Sequence, residues 1–105
     1  MNINQLADNL GLEPDEYMEI LELLVDSGKA DIASLEKAIA DSDAEGVVKA
    51  AHSLKGASAN LGLTDLSEAA KEIEFKGRDG NLTGVEGKME ALKTKFAPVV
   101  DLFQI

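Results

Sequence analysis

Apolar residues recur along this chain in steps of three and four, the spacing that stacks side chains on one face of an α-helix. The clearest run is Tyr17, Leu21, Leu24, Gly28, Ile32, Leu35 and Ile39. Its phase holds through Gly28, which predicts one helix from Pro14 to about Ala40. A bend at Ser27-Gly28 is allowed, because a mid-helix glycine costs up to ~1 kcal/mol relative to alanine. Ahead of it a short helix is expected from about Asn2 to Leu10, with Asn2 and Gln5 spaced as a capping pair and Gly11 as its stop. Behind it, Ser42 and Glu45 have the spacing of a capping box and open a third helix that runs to about Leu61, with Gly62 suited to the stop. The buried stripe of that helix is expected to be Val47, Ala51, Leu54, Ser58 and Leu61, which fall within one narrow arc at the helical period.

Thr64 can cap a fourth helix from Asp65 to Lys76, with Leu66, Ala69, Ala70 and Ile73 inward and Gly77 closing it. Arg78-Asp79-Gly80 then reads as a turn. A last helix carries Leu82, Val85, Met89, Leu92, Phe96 and Val99 or Val100, and Pro98 is expected to kink or shorten its end. Strand signals are weak throughout: aromatics are few, period-two alternation is missing, and Ala, Leu, Glu and Lys dominate. The expectation is an all-α fold, an antiparallel four-helix bundle with a short extra N-terminal helix, in which residues 1–105 form a single domain.

Composition narrows the chemistry. Cysteine is absent, which removes disulfides, thiolate metal sites and thiol nucleophiles, and suits a reducing compartment. No signal-peptide pattern or membrane-length apolar run is visible, so a cytoplasmic protein away from membranes is expected, and Met1 without a linker favours a free-standing one. Net charge is -10, which argues against nucleic acid as a partner. The excess is local: residues 1–46 hold 12 acids against Lys29 and Lys37, whereas residues 47–105 hold 8 charges of each sign. A solvated acidic face that aids solubility is the simpler reading of it.

If the stripe of the third helix is buried, His52 points away from the core. Lys49 lies one turn before it, Gly56 one turn after and Ala59 a turn further, so the imidazole would sit on an exposed strip floored by small side chains. A neutral imidazole offers a ring-nitrogen lone pair. Lys49 and Lys55 carry charge that favours the neutral ring and can stabilise an attached phosphoryl group. Position alone leaves two readings open, a functional histidine or an incidental one, and Gly56 likewise reads either as room beside the imidazole or as close packing of helices.

The segment Ala51-His52-Ser53-Leu54-Lys55-Gly56, followed by Asn60-Leu61-Gly62, resembles the signature of histidine phosphotransfer (HPt) domains, in which His-x-Leu-Lys-Gly precedes an apolar-Gly pair. Leu66, Ala70, Ile73 and Glu74 are similar to the family's next helix, and the long upstream helix and acidic loop also fit, so the resemblance spans most of the chain. The departures are Ala70, where the family often has cysteine, and Pro98 in the final helix. The resemblance implies that His52 takes a phosphoryl group from the aspartyl phosphate of a receiver domain and passes it to another receiver aspartate. Lys55 would help bind the phosphoryl oxygens, and Gly56 would leave room for the receiver's active site; Ser53 and Ala59, beside them on the helix, are added as docking residues and are not supplied by the motif. Lys49 joins the phosphate-stabilising set on helical geometry rather than on the motif.

Partners implied are response-regulator receiver domains, of a hybrid sensor kinase and of a downstream regulator, and the receiver supplies Mg²⁺, so no cofactor of the chain's own is expected. A phosphate loop of the Gly-x-x-x-x-Gly-Lys type is absent, so a carrier rather than an ATP-using autokinase is expected. A kinase fragment is further disfavoured by Ser53, where such kinases usually place an acid directly after the histidine. One histidine offers too few ligands for a metal-binding bundle. A monomer is expected, because each apolar stripe can be buried within one bundle. The competing class is a helical interaction module that uses the same strip without any covalent step.

Overall fold

Among the described residues, 1–104, the computed structural model has five helices: α1 (Ile3–Asn9), α2 (Pro14–Ala40), α3 (Ala44–Asn60), α4 (Thr64–Arg78) and α5 (Val85–Asp101). Short connections reverse the chain between successive long helices. α2 packs on α3 and α5, α4 packs on the same two, and α1 lies against α2. The four long helices therefore stand at the corners of an antiparallel bundle, as the periodicity predicts. The core they enclose includes Tyr17, Leu21, Leu35, Leu54, Ile73, Val85 and Leu92, all inaccessible to solvent.

Local chemistry explains most of the boundaries. The Asn2 side chain accepts from the Gln5 N–H at 3.0 Å, capping α1. Pro14 is the first residue of α2, where its missing N–H costs nothing, and the Glu13 N–H donates to the Glu16 carboxylate at 3.0 Å. α2 runs unbroken through Gly28. A Cβ at Gly28 would lie 2.7 Å from Phe96 Cζ and 2.8 Å from Cε1, so glycine there is a notch that admits the α5 ring. Tyr17 closes one end of the bundle by donating its buried hydroxyl to the Leu61 carbonyl at 2.6 Å. That bond satisfies a carbonyl at the C-terminus of α3, which has no partner within the helix.

The structure corrects several expectations. Asp43, not Ser42, caps α3 by accepting from the Gly46 N–H at 3.0 Å, and Ser42 lies in the left-handed region at φ 53°. An aspartate cap is as good as a serine one, and here it sits one residue closer to the helix. Thr64 is the first residue of α4 rather than its cap, and Leu63 precedes it without a side-chain bond. Gly77 does not close α4. It is buried inside the helix, where a Cβ would come within 2.8 Å of Val48 Cγ2, so it marks a close approach to α3 rather than a stop. Arg78 is accordingly the last helical residue and not part of a turn. Leu82 precedes α5, Ala38 is more buried than the predicted Ile39, and α5 continues through Pro98 to Asp101. Pro98 and Thr94, whose carbonyl loses its helical partner, are both exposed, so the missing bond falls on the solvent side.

Candidate functional site

The predicted stripe of α3 is buried, together with Ala50, and this turns His52 outward: its side chain is 62% exposed. The ring is not free on both sides. His52 Nδ1 lies 2.9 Å from Oε2 of Glu74, which reaches over from α4 and is itself 1% exposed. The same carboxylate receives the Lys55 ammonium on Oε1 at 2.7 Å and the Arg78 guanidinium on Oε2 at 2.7 Å. A further bond joins the two helices beside this cluster, as the Ser67 hydroxyl donates to the Lys55 carbonyl at 3.0 Å.

Burial by itself would push the Glu74 carboxyl up. The hydrogen bonds from Lys55, Arg78 and His52, with the Lys55 charge, outweigh it and hold the group at about 2. Glu74 is thus ionised at neutral pH and has no proton to donate. The hydrogen on the His52–Glu74 contact must come from Nδ1, and in a neutral ring that leaves the lone pair on Nε2, the nitrogen turned away from Glu74. Two cations against one buried anion give the cluster a net charge of +1 with a neutral ring. Such a positive spot stands out on a chain of net charge -10.

The other predicted residues fall into two groups. Ser53 is exposed on the α2 flank, where its hydroxyl donates to Asp31 Oδ2 at 3.1 Å. Burial raises the Asp31 carboxyl above its ordinary value, and the Ser53 bond partly opposes this. Gly56 and Ala59 are exposed, and a Cβ built on Gly56 meets nothing within 4 Å. Close packing within the bundle therefore does not account for this mid-helix glycine. Lys49 is exposed and forms no ion pair or hydrogen bond with the histidine cluster. It borders an open groove with Asp43, Glu45 and Arg78.

The sequence reading missed Glu74 and Arg78 as site residues. Glu74 entered only through the likeness of its helix to the family's, with no role attached, and Arg78 was assigned to a turn. The available signal was helical phase. Glu74 follows Ile73 and Ala70 on the inward arc, and a carboxylate there must be paired, with Arg78 four residues on and Lys55 on the facing helix supplying the charge.

An antiparallel helical bundle presenting one outward histidine, backed by a buried ion cluster and fronted by a bare glycine, has the architecture of a histidine-based phosphoryl carrier. The Hpt domain family model matches residues 19–100, and the chain belongs to that family. It is similar in structure to histidine-containing phosphotransfer protein B (HptB) from Pseudomonas aeruginosa PAO1, with a TM-score of 0.83 and 34% identity, over 93% of this chain and 85% of that one. Comparison with curated proteins gives no match. The protein is therefore a histidine phosphotransfer protein of the class that works with receiver domains of response regulators. No helix among the described residues is long and apolar enough to cross a membrane.

Proposed function

We propose that His52 Nε2 accepts a phosphoryl group from a receiver-domain aspartyl phosphate and returns it to a second receiver aspartate. The observation that carries this reading is the exposed ring whose Nδ1 is held by buried, ionised Glu74. A fixed ring presents one nitrogen in one direction, and in phosphoryl transfer positioning and charge stabilisation are most of what a protein contributes. Lys55 and Arg78 place positive charge beside the incoming group, and Lys49 adds to the field from one turn away on α3. Gly56, with Ala59 and Ser53, forms the low surface over which the receiver reaches the ring.

On this reading the partners are the receivers of a hybrid sensor kinase and of a downstream regulator, with Mg²⁺ brought by the receiver. The chain acts in the cytoplasm as a monomer, as a carrier without autokinase activity. The test is to mix the chain with a receiver phosphorylated on aspartate in the presence of Mg²⁺. Acid-labile, base-stable phosphate should appear on the wild type and be missing from a folded His52→Gln variant. Equal labelling of the two would remove His52 from the reaction, and no labelling by a broad panel of receivers would favour a non-covalent interaction module.

A further inference from the structure

The α4 face beside the histidine carries an aromatic ring that the transfer chemistry does not use. Among the described residues Tyr17 and Phe96 are buried, Phe103 is partly covered, and Phe75 alone of the aromatic side chains stands in solvent, 51% exposed. A scattered exposed apolar residue is ordinary on a protein surface. Phe75 differs in its place and in its restraint. It follows Glu74, whose carboxylate touches the His52 ring, so it lies level with the histidine on the neighbouring corner of the bundle. Lys71, one turn earlier, holds its ammonium 5.5 Å from the ring centroid. Arg78, three residues on, completes a strip of cation, ring and cation along the outward face of α4. On the side away from α3 the strip ends at Glu72, which pairs with Lys88 of α5 at 3.8 Å.

A specific interface takes about 800 Å² from each partner, a disc of radius roughly 16 Å. Packed helices lie about 8–10 Å apart, so a receiver seated on His52 reaches across to α4 and covers Phe75. We propose that Phe75 is the residue by which this chain discriminates among receivers: its ring enters an apolar depression next to the receiver's phosphorylated aspartate, with Lys71 and Arg78 facing the negative charge there. This rests on the reading of His52 as phosphoryl acceptor.

Charge favours that occupant. An aspartyl phosphate is anionic, and the strip is basic on a chain of net charge -10. The ring suits an anchor, because a phenyl side chain has few torsions to order and Lys71 already restrains this one. A receiver with a polar group at the facing position would have to bury it unpaired against the ring, so the contact that holds a fitting partner also rejects an unfitting one. Phe75 carries no group that can act on phosphorus. It sets encounter and binding and leaves the chemical step to His52.

The test is single-turnover transfer to full-length wild type and Phe75→Ala from a panel of receivers phosphorylated on aspartate, with Mg²⁺ present. With the best receiver, the concentration giving half the limiting rate should rise ~10-fold, while the limiting rate stays within about 2-fold. Phe75→Tyr should recover most of the loss. The preference for the best over the poorest labelling receiver should narrow by a similar factor, and a loss equal for every receiver would overturn the discriminating role. Labelling by phosphoramidate, a small donor that needs no docking, should be the same in both proteins; a matching defect there would place Phe75 in the fold of the site and overturn the proposal. Wild type alone supplies a further check. Its Phe75 ring resonances must shift or broaden when the best receiver is added, and unmoved resonances would refute the contact. Self-association that Phe75→Ala abolishes, with receiver affinity unchanged, would assign the ring to a second copy instead. If no receiver labels wild type, the carrier reading fails and this proposal with it, whereas a labelled wild type with unaltered Phe75→Ala kinetics sinks the docking role alone.

Discussion

The ammonium of Lys55 lies 2.7 Å from Oε1 of Glu74, so the motif lysine is tied to a buried anion before any phosphoryl group is present. Its charge is delivered to a set position beside the ring, and the flexible stem does not have to be ordered during transfer. The tether also makes Lys55 part of the fold, because without it one oxygen of a buried carboxylate loses its partner.

Lys55→Ala should therefore have two effects. Transfer to His52 should slow by roughly 10-fold or more, as expected for removing one charge that stabilises the transferring group. Stability should also fall, by about 1–2 kcal/mol, because Arg78 and His52 still serve the other Glu74 oxygen. Urea unfolding and single-turnover transfer on the same preparation check both. An unchanged transfer rate would leave Lys55 with a structural role alone.

The Glu74 carboxyl sits at about 2, against an ordinary value of 4.5. Because the folded value is the lower one, the stability it contributes is fully present above pH 4.5 and disappears as pH falls towards 2. Allowing for screening at the half-exposed Arg78, the contribution is on the order of 2 kcal/mol. Glu74→Gln should lower stability at neutral pH and flatten its decline between pH 4.5 and 2, in chemical denaturation at a series of pH values. Parallel curves for the two proteins would show that Glu74 does not gain its partners on folding.

Gly56 offers a test in which stability and function move apart. A side chain there meets nothing within 4 Å in the chain itself, and replacing a mid-helix glycine lowers the entropy cost of folding. Gly56→Ala should raise stability by about 0.5–1 kcal/mol. Gly56→Leu should be at least as stable as wild type, yet transfer poorly, because the added bulk stands in the path of the receiver. Undiminished transfer in the leucine variant would contradict docking over this surface.

Gly28 and Gly77 mark the limit of what the sequence conveys. Glycine is costly inside a helix, so a bend was allowed at Gly28 and Gly77 was expected to end α4. Their purpose lies in other elements: Phe96 of α5 fills the notch at Gly28, and Val48 of α3 crowds Gly77. A one-dimensional pattern reports that a helix face is apolar but not which residue of a distant helix will face it. The stripe of α3, the continuity of α2 and the outward His52 were legible because each follows from phase along one helix. The His52–Glu74 contact was not, because it joins residues 22 apart across two helices. Gly28→Ala should destabilise the fold by about 1–3 kcal/mol through overpacking against the Phe96 ring, and a paired Phe96→Leu substitution should recover part of it. Thermal denaturation of the single and double variants measures that coupling.

Arg78 and Lys49 provide the last comparison, because the two cations differ in how they meet the site. Arg78 donates to the Glu74 oxygen that also accepts from His52 Nδ1, so the guanidinium and the imidazole lie on either side of one atom. A single hydrogen bond leaves most of its donor fork available, and it is 56% exposed, so a phosphoryl group on the ring can recruit it without unfolding anything. Lys49 has no bond into the cluster and acts through solvent, where a charge contributes little and is screened by salt. Arg78→Ala should slow phosphoryl transfer by roughly 10-fold or more, and Lys49→Ala by only about 2-fold, with the Lys49 effect vanishing in high salt. Arg78→Lys should recover only part of the loss, since an ammonium cannot hold Glu74 and a phosphoryl oxygen in the same fork geometry. Transfer rates of the three variants at low and high ionic strength decide the point, and a larger defect in Lys49→Ala than in Arg78→Ala would place the phosphoryl group on the Lys49 side of the ring.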